Sequence, residues 1–413
     1  MQVLIIAYVL PEPKSTGSGA RMMGLIHAFL QQGWQVHVAS PAVATPYSED
    51  LSGLGIEISE IAVNDSSFDA FMVKMNPNIV LFDRFMMEEQ FGWRVAKACP
   101  DAMRMIETVD LHCLREARHA QVKRTHAVAI QPEQEDLYGE IAWREIASIY
   151  RSDLSLLISD VELEVLDKSF GVADKLLHLC PLMLDAPHIK ALPSFEQRAH
   201  FISIGNFRHA PNWDAVLWLK ESIWSLIRKQ LPQAELHIYG AYTPPKAAAL
   251  HNPNAGFLIK DRAENVQDVM SNARIHLAPL RFGAGVKTKL SDAMSFGTPS
   301  ITTSVGAEGM MVGSDWAGHI KDEPQAFADA AVALYQDKIA WEQAQIHGAK
   351  IVTTLFNQAD NQHALLHRIL EVKEHLAAHR QQNFIGQMLN HHHHRSTEFM
   401  SRWIELKNKP TNR

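Results

Sequence analysis

The sequence predicts an α/β protein made of two tandem Rossmann-like, doubly wound domains that face an inter-domain cleft. Three observations carry this. Apolar runs of strand length alternate with amphipathic runs of helical period, the pattern of parallel sheets with helices between their strands. The pattern breaks off in a stretch punctuated by prolines and restarts at His200. The length, 413 residues, suits two domains.

Val3 to Val9 reads as a buried strand and Pro11 to Gly19 as a loop. Met22, Leu25, Ile26 and Phe29 then recur at helical spacing, Gly33 closes that helix, and Trp34 to Ala39 alternates as the next strand. Further strands are expected at 79–82, 102–106, 155–158 and 175–178, which completes a first domain over 1–185. Pro187 and Pro193 mark a linker over 186–198. The second domain, 199–375, opens with a strand at 201–204 that ends in Gly205. A helix follows, with Val216, Leu219, Ile223, Leu226 and Ile227 on one face. Strands at 235–239, 256–259, 275–278 and 300–303 continue the sheet, with helices near 264–272 and 287–296. A helical, polar tail over 376–413 contains the run His391 to His394, read as a surface tract or a scar rather than a metal site. Trp403, Ile404 and Leu406 imply that the last helix docks.

Composition excludes several classes. The apolar fraction is 46% and the net charge −7, so nothing advertises nucleic acid. Cys99, Cys113 and Cys180 are odd in number and far apart, which reads as free buried thiols in a reducing compartment. The first residues carry no positive n-region or cleavage site, and no stretch approaches the ~18 apolar residues of a membrane span. A cytoplasmic protein is expected, with a peripheral membrane contact left open.

In doubly wound sheets, ligands sit beyond the carboxyl ends of the strands. The densest chemical signal lies at such a place, from Ala278 to Pro299. Gly283 and Gly285 permit tight backbone and close ligand approach. A helix then begins, so free N–H groups and the positive dipole end favour a phosphate, and Lys287 and Lys289 add full charges. The order of a Walker loop is absent. In the first domain, Gly17, Ser18 and Gly19 occupy the strand-to-helix connection, without the third glycine of a dinucleotide fingerprint. Asp110 and His112 stand just past the strand at 102–106. Asp83, with Glu88 and Glu89, follows another strand end; it either faces an acceptor or opens a helix, where acids suit the dipole. Glu308 also follows a strand end and reads either as a ligand contact or as a loop acid.

These segments resemble the retaining GT-B glycosyltransferases of family 4, the group 1 glycosyl transferases. The similarity lies in Arg281-Phe-Gly-Ala-Gly-Val-Lys287, Asp292-Ala-Met-Ser-Phe-Gly-Thr-Pro-Ser300, Val305-Gly-Ala-Glu-Gly309 and the stretch His200 to Asn212. The resemblance spans about residues 1–375. It implies a nucleotide-sugar donor held by Gly205, Arg208, Phe282, Gly283, Ala284, Gly285, Val286, Thr288, Lys289, Asp292 and Glu308. It implies Gly17, Ser18, Gly19, Asp83 and Asp110 on the cleft or acceptor side, and a sugar pocket lined by His112. In that family two glutamates seven residues apart flank the donor loop, the second on the ribose. Asp292 takes the second position, but Ala284 takes the first, so that glutamate is missing here. Lys287 and backbone amides are expected to hold the donor instead, with Lys287 and His112 as the catalytic pair. Arg208 has two readings, a cation on the diphosphate or a surface residue before the helix start at Pro211 and Asn212.

The resemblance implies retention of configuration. Metal independence is expected because no Asp-x-Asp arrangement for a donor-bound ion is evident, and no cofactor is expected, the nucleotide-sugar being a substrate. Acceptors of this family are glycans, lipid-linked or small molecules, with surface polysaccharide assembly as the usual setting. Three rival readings are a nucleotide-sugar epimerase of the same shape, a degenerate transferase acting as a partner protein, and, more distantly, an NAD-dependent oxidoreductase.

Overall fold

The computed structural model describes residues 1–408. The end of the expected tail, 409–413, and the side chains of Lys190 and residues 392–395 lie outside the described residues, and with them three of the four histidines in the 391–394 run.

The first half is a seven-stranded sheet in the order β3-β2-β1-β4-β5-β6-β7. Its strands are β1 Gln2–Ile6, β2 Gln35–Ser40, β3 Glu57–Glu60, β4 Ile79–Asp83, β5 Met103–Glu107, β6 Leu154–Leu157 and β7 Leu177–Leu179. The second half has six strands in the order β10-β9-β8-β11-β12-β13. These are β8 Ala199–Ile204, β9 Leu236–Tyr239, β10 Phe257–Ile259, β11 Ala273–Ala278, β12 Ser300–Thr302 and β13 Gly318–Ile320. All strand pairs are parallel. Central strands are covered on both faces, which is why Val3, Leu4, Ile5 and Ile6 read as one apolar run and are all fully buried. The expected fold class holds in both halves, and in each the order reverses beside the first strand.

The strands the sequence did not announce are edges. β3 carries one apolar residue in four, and β13 is three residues long. Their side chains are mostly exposed or half-buried, so no hydrophobic pattern marks them.

Nine helices carry the site or frame it: α1 Gly17–Gln31, α2 Phe85–Ala98, α3 His112–Thr125, α4 Glu140–Arg151, α5 Ala210–Trp218, α6 Thr288–Ser295, α7 Lys338–Leu355, α8 Gln358–Glu374 and α9 Phe384–Asn408. Gly17, Ser18 and Gly19, expected in a loop, instead form the first turn of α1. Thr16 caps it by accepting from the Gly19 N–H at 3.0 Å.

The chain crosses between halves twice, side by side. The Leu184 N–H donates to the Phe356 carbonyl at 2.7 Å, and the Gln358 N–H to the Leu184 carbonyl at 3.1 Å. After the second crossing α8 lies on the first sheet. Leu365, Leu366, Ile369 and Val372 are buried there with Val3, Ile5, Leu25, Ile26 and Met103. The sequence boundary at 375 had assigned α8 to the second half. Apolar period identifies a buried face but not the sheet that covers it. The last helix, α9, docks as expected, on α2 and α4; of the three residues expected to carry the contact, Ile404 is half-buried while Trp403 and Leu406 are exposed.

Candidate donor and acceptor cleft

The segment after β11 is a plug between the halves. Gly283 has φ +154° and Gly285 φ +62°, so both positions favour glycine. A Cβ on Gly285 would lie 3.0 Å from atoms of Asp110 and Ile158 in the first half. Alternating with the glycines, the side chains of this segment point into packing. Phe282 is buried and stacks on His119 of α3, centroids 4.3 Å apart. Ala284 is buried in the first half's cluster with Leu111, Cys113 and Leu114. Val286 packs with Ile158 and Leu182. The side chains of Phe282, Ala284 and Val286, expected at the donor, are therefore placed in packing. An apolar residue at 284 follows from the cluster it enters, where a carboxylate would be buried without a partner.

Arg118, from α3, fastens this plug. Its guanidinium donates to the Gly283 carbonyl at 2.8 Å and pairs bidentately with Glu308 at 2.6 and 2.7 Å. Glu308, expected beside the donor, is thus held across the cleft by an arginine.

The cations lie at the start of α6. Lys287 is buried and donates to the Gly285 carbonyl at 2.5 Å. Burial pushes its ammonium down to about 8 although Glu308 lies near. Lys289 donates to Asn212 Oδ1 of α5 at 2.7 Å, and burial, with Lys287 beside it, pushes it down to about 7. Gly205, at the end of β8, is where this group reaches: a Cβ there would meet the Lys289 Nζ and the Asn212 amide at 2.7 Å. From the first half Gly17 closes on the same place, since a Cβ on it would meet Thr288 Oγ1 at 2.2 Å. The N-termini of α1 and α6 therefore converge with two partly discharged lysines, an arrangement that suits a diphosphate.

Asp292, one turn into α6, lines a cavity with Ala20, Arg21, Gly24, Pro181, Leu182 and Thr288. Its carboxyl has no hydrogen-bond partner among the described residues, and burial pushes it up to about 7. Arg21 does not serve it, because that guanidinium is bidentate on Glu107 at 2.7 and 2.8 Å.

The opposite wall is built on α3. The Asp110 carboxylate meets the Arg115 guanidinium and stands 3.5 Å from His112 Nε2. Against the cost of burial, Arg115 and then His112 hold Asp110 well below the usual carboxylate range. Burial brings His112 down to about 4, with Arg115, Arg84 and His209 adding to it, so the ring is neutral at neutral pH. Buried acids fix the backbone beneath. Glu145 accepts from the His112 and Cys113 N–H groups at 3.0 and 2.9 Å, and Glu162 from that of Leu111 at 2.7 Å. These two carboxylates occupy the N-terminus of α3, so its dipole is not free for a ligand phosphate. Val109 has φ +65°, strained for a β-branched residue; Arg84 and Tyr242, at other strand ends on the cleft, also have positive φ.

Asp83 is buried and accepts the Tyr8 N–H at 3.0 Å, which ties the loop after β1 to β4. Glu88 and Glu89 pair with Arg151 and Arg144 of α4, so neither faces the cleft. Arg208 lies over the Tyr242 ring at 3.7 Å, and the Tyr242 hydroxyl donates to Glu12 of the first half at 3.0 Å. Ser18 is half-buried beside the converging helix starts. The structure thus brings together Gly17, Gly205, Thr288, Lys289 and Asp292 on one side, and Asp110 and His112 on the other. His209, Arg115, Arg118, Glu145, Glu162 and Asn212 were not foreseen. Only Asn212 and His209 fall within a motif the sequence singled out; the acids and arginines reach the site from helices with no local signature. Among the described residues no group of three or more His, Cys, Asp or Glu side chains is placed to hold a metal ion.

Residues 198–337 match the family model described as glycosyl transferases group 1. No curated protein matches the chain. Solved structures match nearly its whole length at low identity. A sucrose-phosphate synthase from Thermosynechococcus elongatus is 16% identical, covers 91% of this chain and 100% of its own, and has a TM-score of 0.64. The pneumococcal O-GlcNAc transferase GtfA, solved with UDP and GlcNAc, is 13% identical, covers 90% and 99%, and scores 0.67. Anabaena HepE, solved with UDP and glucose, is 12% identical, covers 90% and 100%, and scores 0.64. These likenesses show the fold, which is GT-B.

Proposed function

From a GT-B chain that carries a glycosyl transferases group 1 domain over residues 198–337, and is on that ground a glycosyltransferase, we propose transfer of a sugar from a nucleoside diphosphate donor to a glycan, lipid-linked or small-molecule acceptor, with retention and without a metal ion. The setting proposed is surface polysaccharide assembly in the cytoplasm, with peripheral contact at the inner face of the membrane. No cofactor is involved, the nucleotide-sugar being a substrate.

The observation that carries this reading is the start of α6, where Lys289 meets Gly205, Thr288 meets Gly17, and Lys287 lies against Gly283. In the reaction the bond between the anomeric carbon and the diphosphate breaks and the leaving group gains negative charge. Two lysines and the helix N-terminus offset that charge without reorganising. Asp292, an acceptor with no partner in a cavity beside Thr288, suits the ribose hydroxyls. His112 is neutral and bears on Asp110, so its part is to hold a sugar hydroxyl rather than to take a proton as a strong base. The acceptor hydroxyl attacks the anomeric carbon, and its proton passes to the departing phosphate oxygen.

The test is a thermal-shift screen with UDP, GDP, ADP and their sugars, followed by donor turnover with and without acceptor and with a chelator. Stabilisation by one nucleotide, acceptor-dependent release of the diphosphate and indifference to the chelator are expected. Failure of every nucleotide to stabilise the protein would sink the reading. Isomerised donor in the absence of acceptor would make it an epimerase, and binding without turnover would make it a partner protein.

A further inference from the structure

The outer face of α9 has no counterpart in the chemistry above. Phe384, Met388, Phe399, Trp403 and Leu406 fall on one side at helical spacing, with Ile385 beside them. They are exposed by 75%, 45%, 68%, 57%, 69% and 44% respectively, along a helix of 25 residues. A soluble surface carries single apolar residues freely, but two apolar clusters on one helix face, one over 384–388 and one over 399–406, mark a contact.

The opposite side of α9 is already docked. A Cβ on Gly386 would lie 2.1 Å from the Tyr150 carbonyl of α4, and Arg94 of α2 donates to the buried Ser401 hydroxyl at 3.1 Å. Both acids of the helix turn to this side or to a neighbour: Glu398 pairs with Lys97 and Arg402, and Glu405 accepts from Ser66. Among the described side chains, the outward apolar clusters are edged by Lys407 and by Arg402, which shares its charge with Glu398. Arg402 is half-exposed, and the Lys407 ammonium lies 5.1 Å from the centre of the Trp403 ring. Aromatic and aliphatic residues on one face edged by Lys and Arg are the pattern of a helix that lies in the plane of an anionic lipid surface.

We infer that α9 is a membrane-surface helix, its exposed apolar clusters over 384–388 and 399–406 set into the acyl boundary and Arg402 and Lys407 at anionic headgroups. Pairing of two copies through the same clusters would bring the edges of like charge together. This names the surface for the membrane contact proposed above, but it does not depend on the glycosyl-transfer reading.

Flotation of the full-length protein with vesicles tests it, using phosphatidylcholine alone and phosphatidylcholine mixed with phosphatidylglycerol. Binding to the anionic vesicles, weakened by salt, is expected. A double variant, Phe399→Glu with Trp403→Glu, should lose at least about tenfold of that binding, since two side chains leave the apolar phase. Its thermal midpoint and its stabilisation by nucleotide should match the wild type, which separates loss of the surface from loss of the fold or of the donor site. The inference is overturned by wild-type protein that floats with neither vesicle or by a double variant that binds like wild type. It is overturned equally by a solution dimer that the same substitutions dissolve.

Discussion

At the scale of single residues, charge that the fold keeps out of water dominates the donor side. Lys289 and Lys287 sit at about 7 and 8 because burial in the cleft disfavours their charged forms. A diphosphate favours those forms, so binding takes up protons above these values. Affinity for the stabilising nucleotide should be level below about pH 6, fall as pH rises through about 7 where Lys289 loses its charge, and fall more steeply above about 8 where Lys287 follows, approaching tenfold per pH unit for each lysine. Titration calorimetry across that range checks this; a flat profile would remove the lysines from the site. Lys289→Met should weaken nucleotide binding about 10- to 100-fold, the loss of one charge-assisted contact. Ala284 behaves differently. The family pattern asks for a glutamate there, and the sequence marked its absence as a gap in the donor site. In the structure the position faces Leu111, Cys113 and Leu114 of the opposite half. Ala284→Glu should therefore cost about 3 kcal/mol or more rather than restore a sugar contact, because it buries an unpaired carboxylate. Thermal unfolding measures the loss, and a variant as stable as wild type with better donor binding would contradict the placement.

At the scale of elements, legibility depended on whether a feature was local. The glycines and lysines of 283–289 lie at a strand end and open a helix, so their place at the cleft was legible from spacing. That of Asp110 and His112 was legible from a strand end together with the family resemblance. The edge strands β3 and β13 were not, since neither carries an apolar alternation. Arg118 was not either: its partner Glu308 lies 190 residues away, and an arginine in the middle of α3 looks like any surface cation in sequence. The pair joins α3 to the segment after β12, so its energy belongs to closure of the cleft. Removing one partner of a buried pair costs about 3–5 kcal/mol when the other stays buried. Here opening of the halves lets Glu308 return to water, so the cost falls on the closed state. Arg118→Ala is expected to weaken donor binding about tenfold or more while leaving the unfolding midpoint nearly unchanged. Small-angle scattering with saturating nucleotide should show the variant more extended than wild type; an equal radius of gyration would argue against the clamp.

At the scale of the whole molecule, the two halves are not two separable stretches of chain. The first sheet is completed by α8, which arrives after the second half has been built, through the crossing where Leu184 meets Phe356 and Gln358. Burial of an aliphatic side chain contributes about 1.5–3 kcal/mol, so Leu365, Leu366, Ile369 and Val372 together supply an amount comparable to the net stability of a domain, about 5–15 kcal/mol. Residues 1–185 alone expose the surface those four side chains cover. That fragment is expected to be insoluble or to lack a cooperative unfolding transition. Residues 199–357 keep their own core, which centres on Phe201, Trp224, Leu236 and Ile275, and should unfold cooperatively by themselves. Co-expression of residues 1–185 with a separate segment 355–408 should restore a folded first half, because what that half lacks is a packing face rather than a covalent connection. Circular dichroism and calorimetry on the three preparations decide the matter. A cooperative transition in 1–185 alone would show that α8 is dispensable, and would return the domain boundary to the position that hydrophobic periodicity assigned.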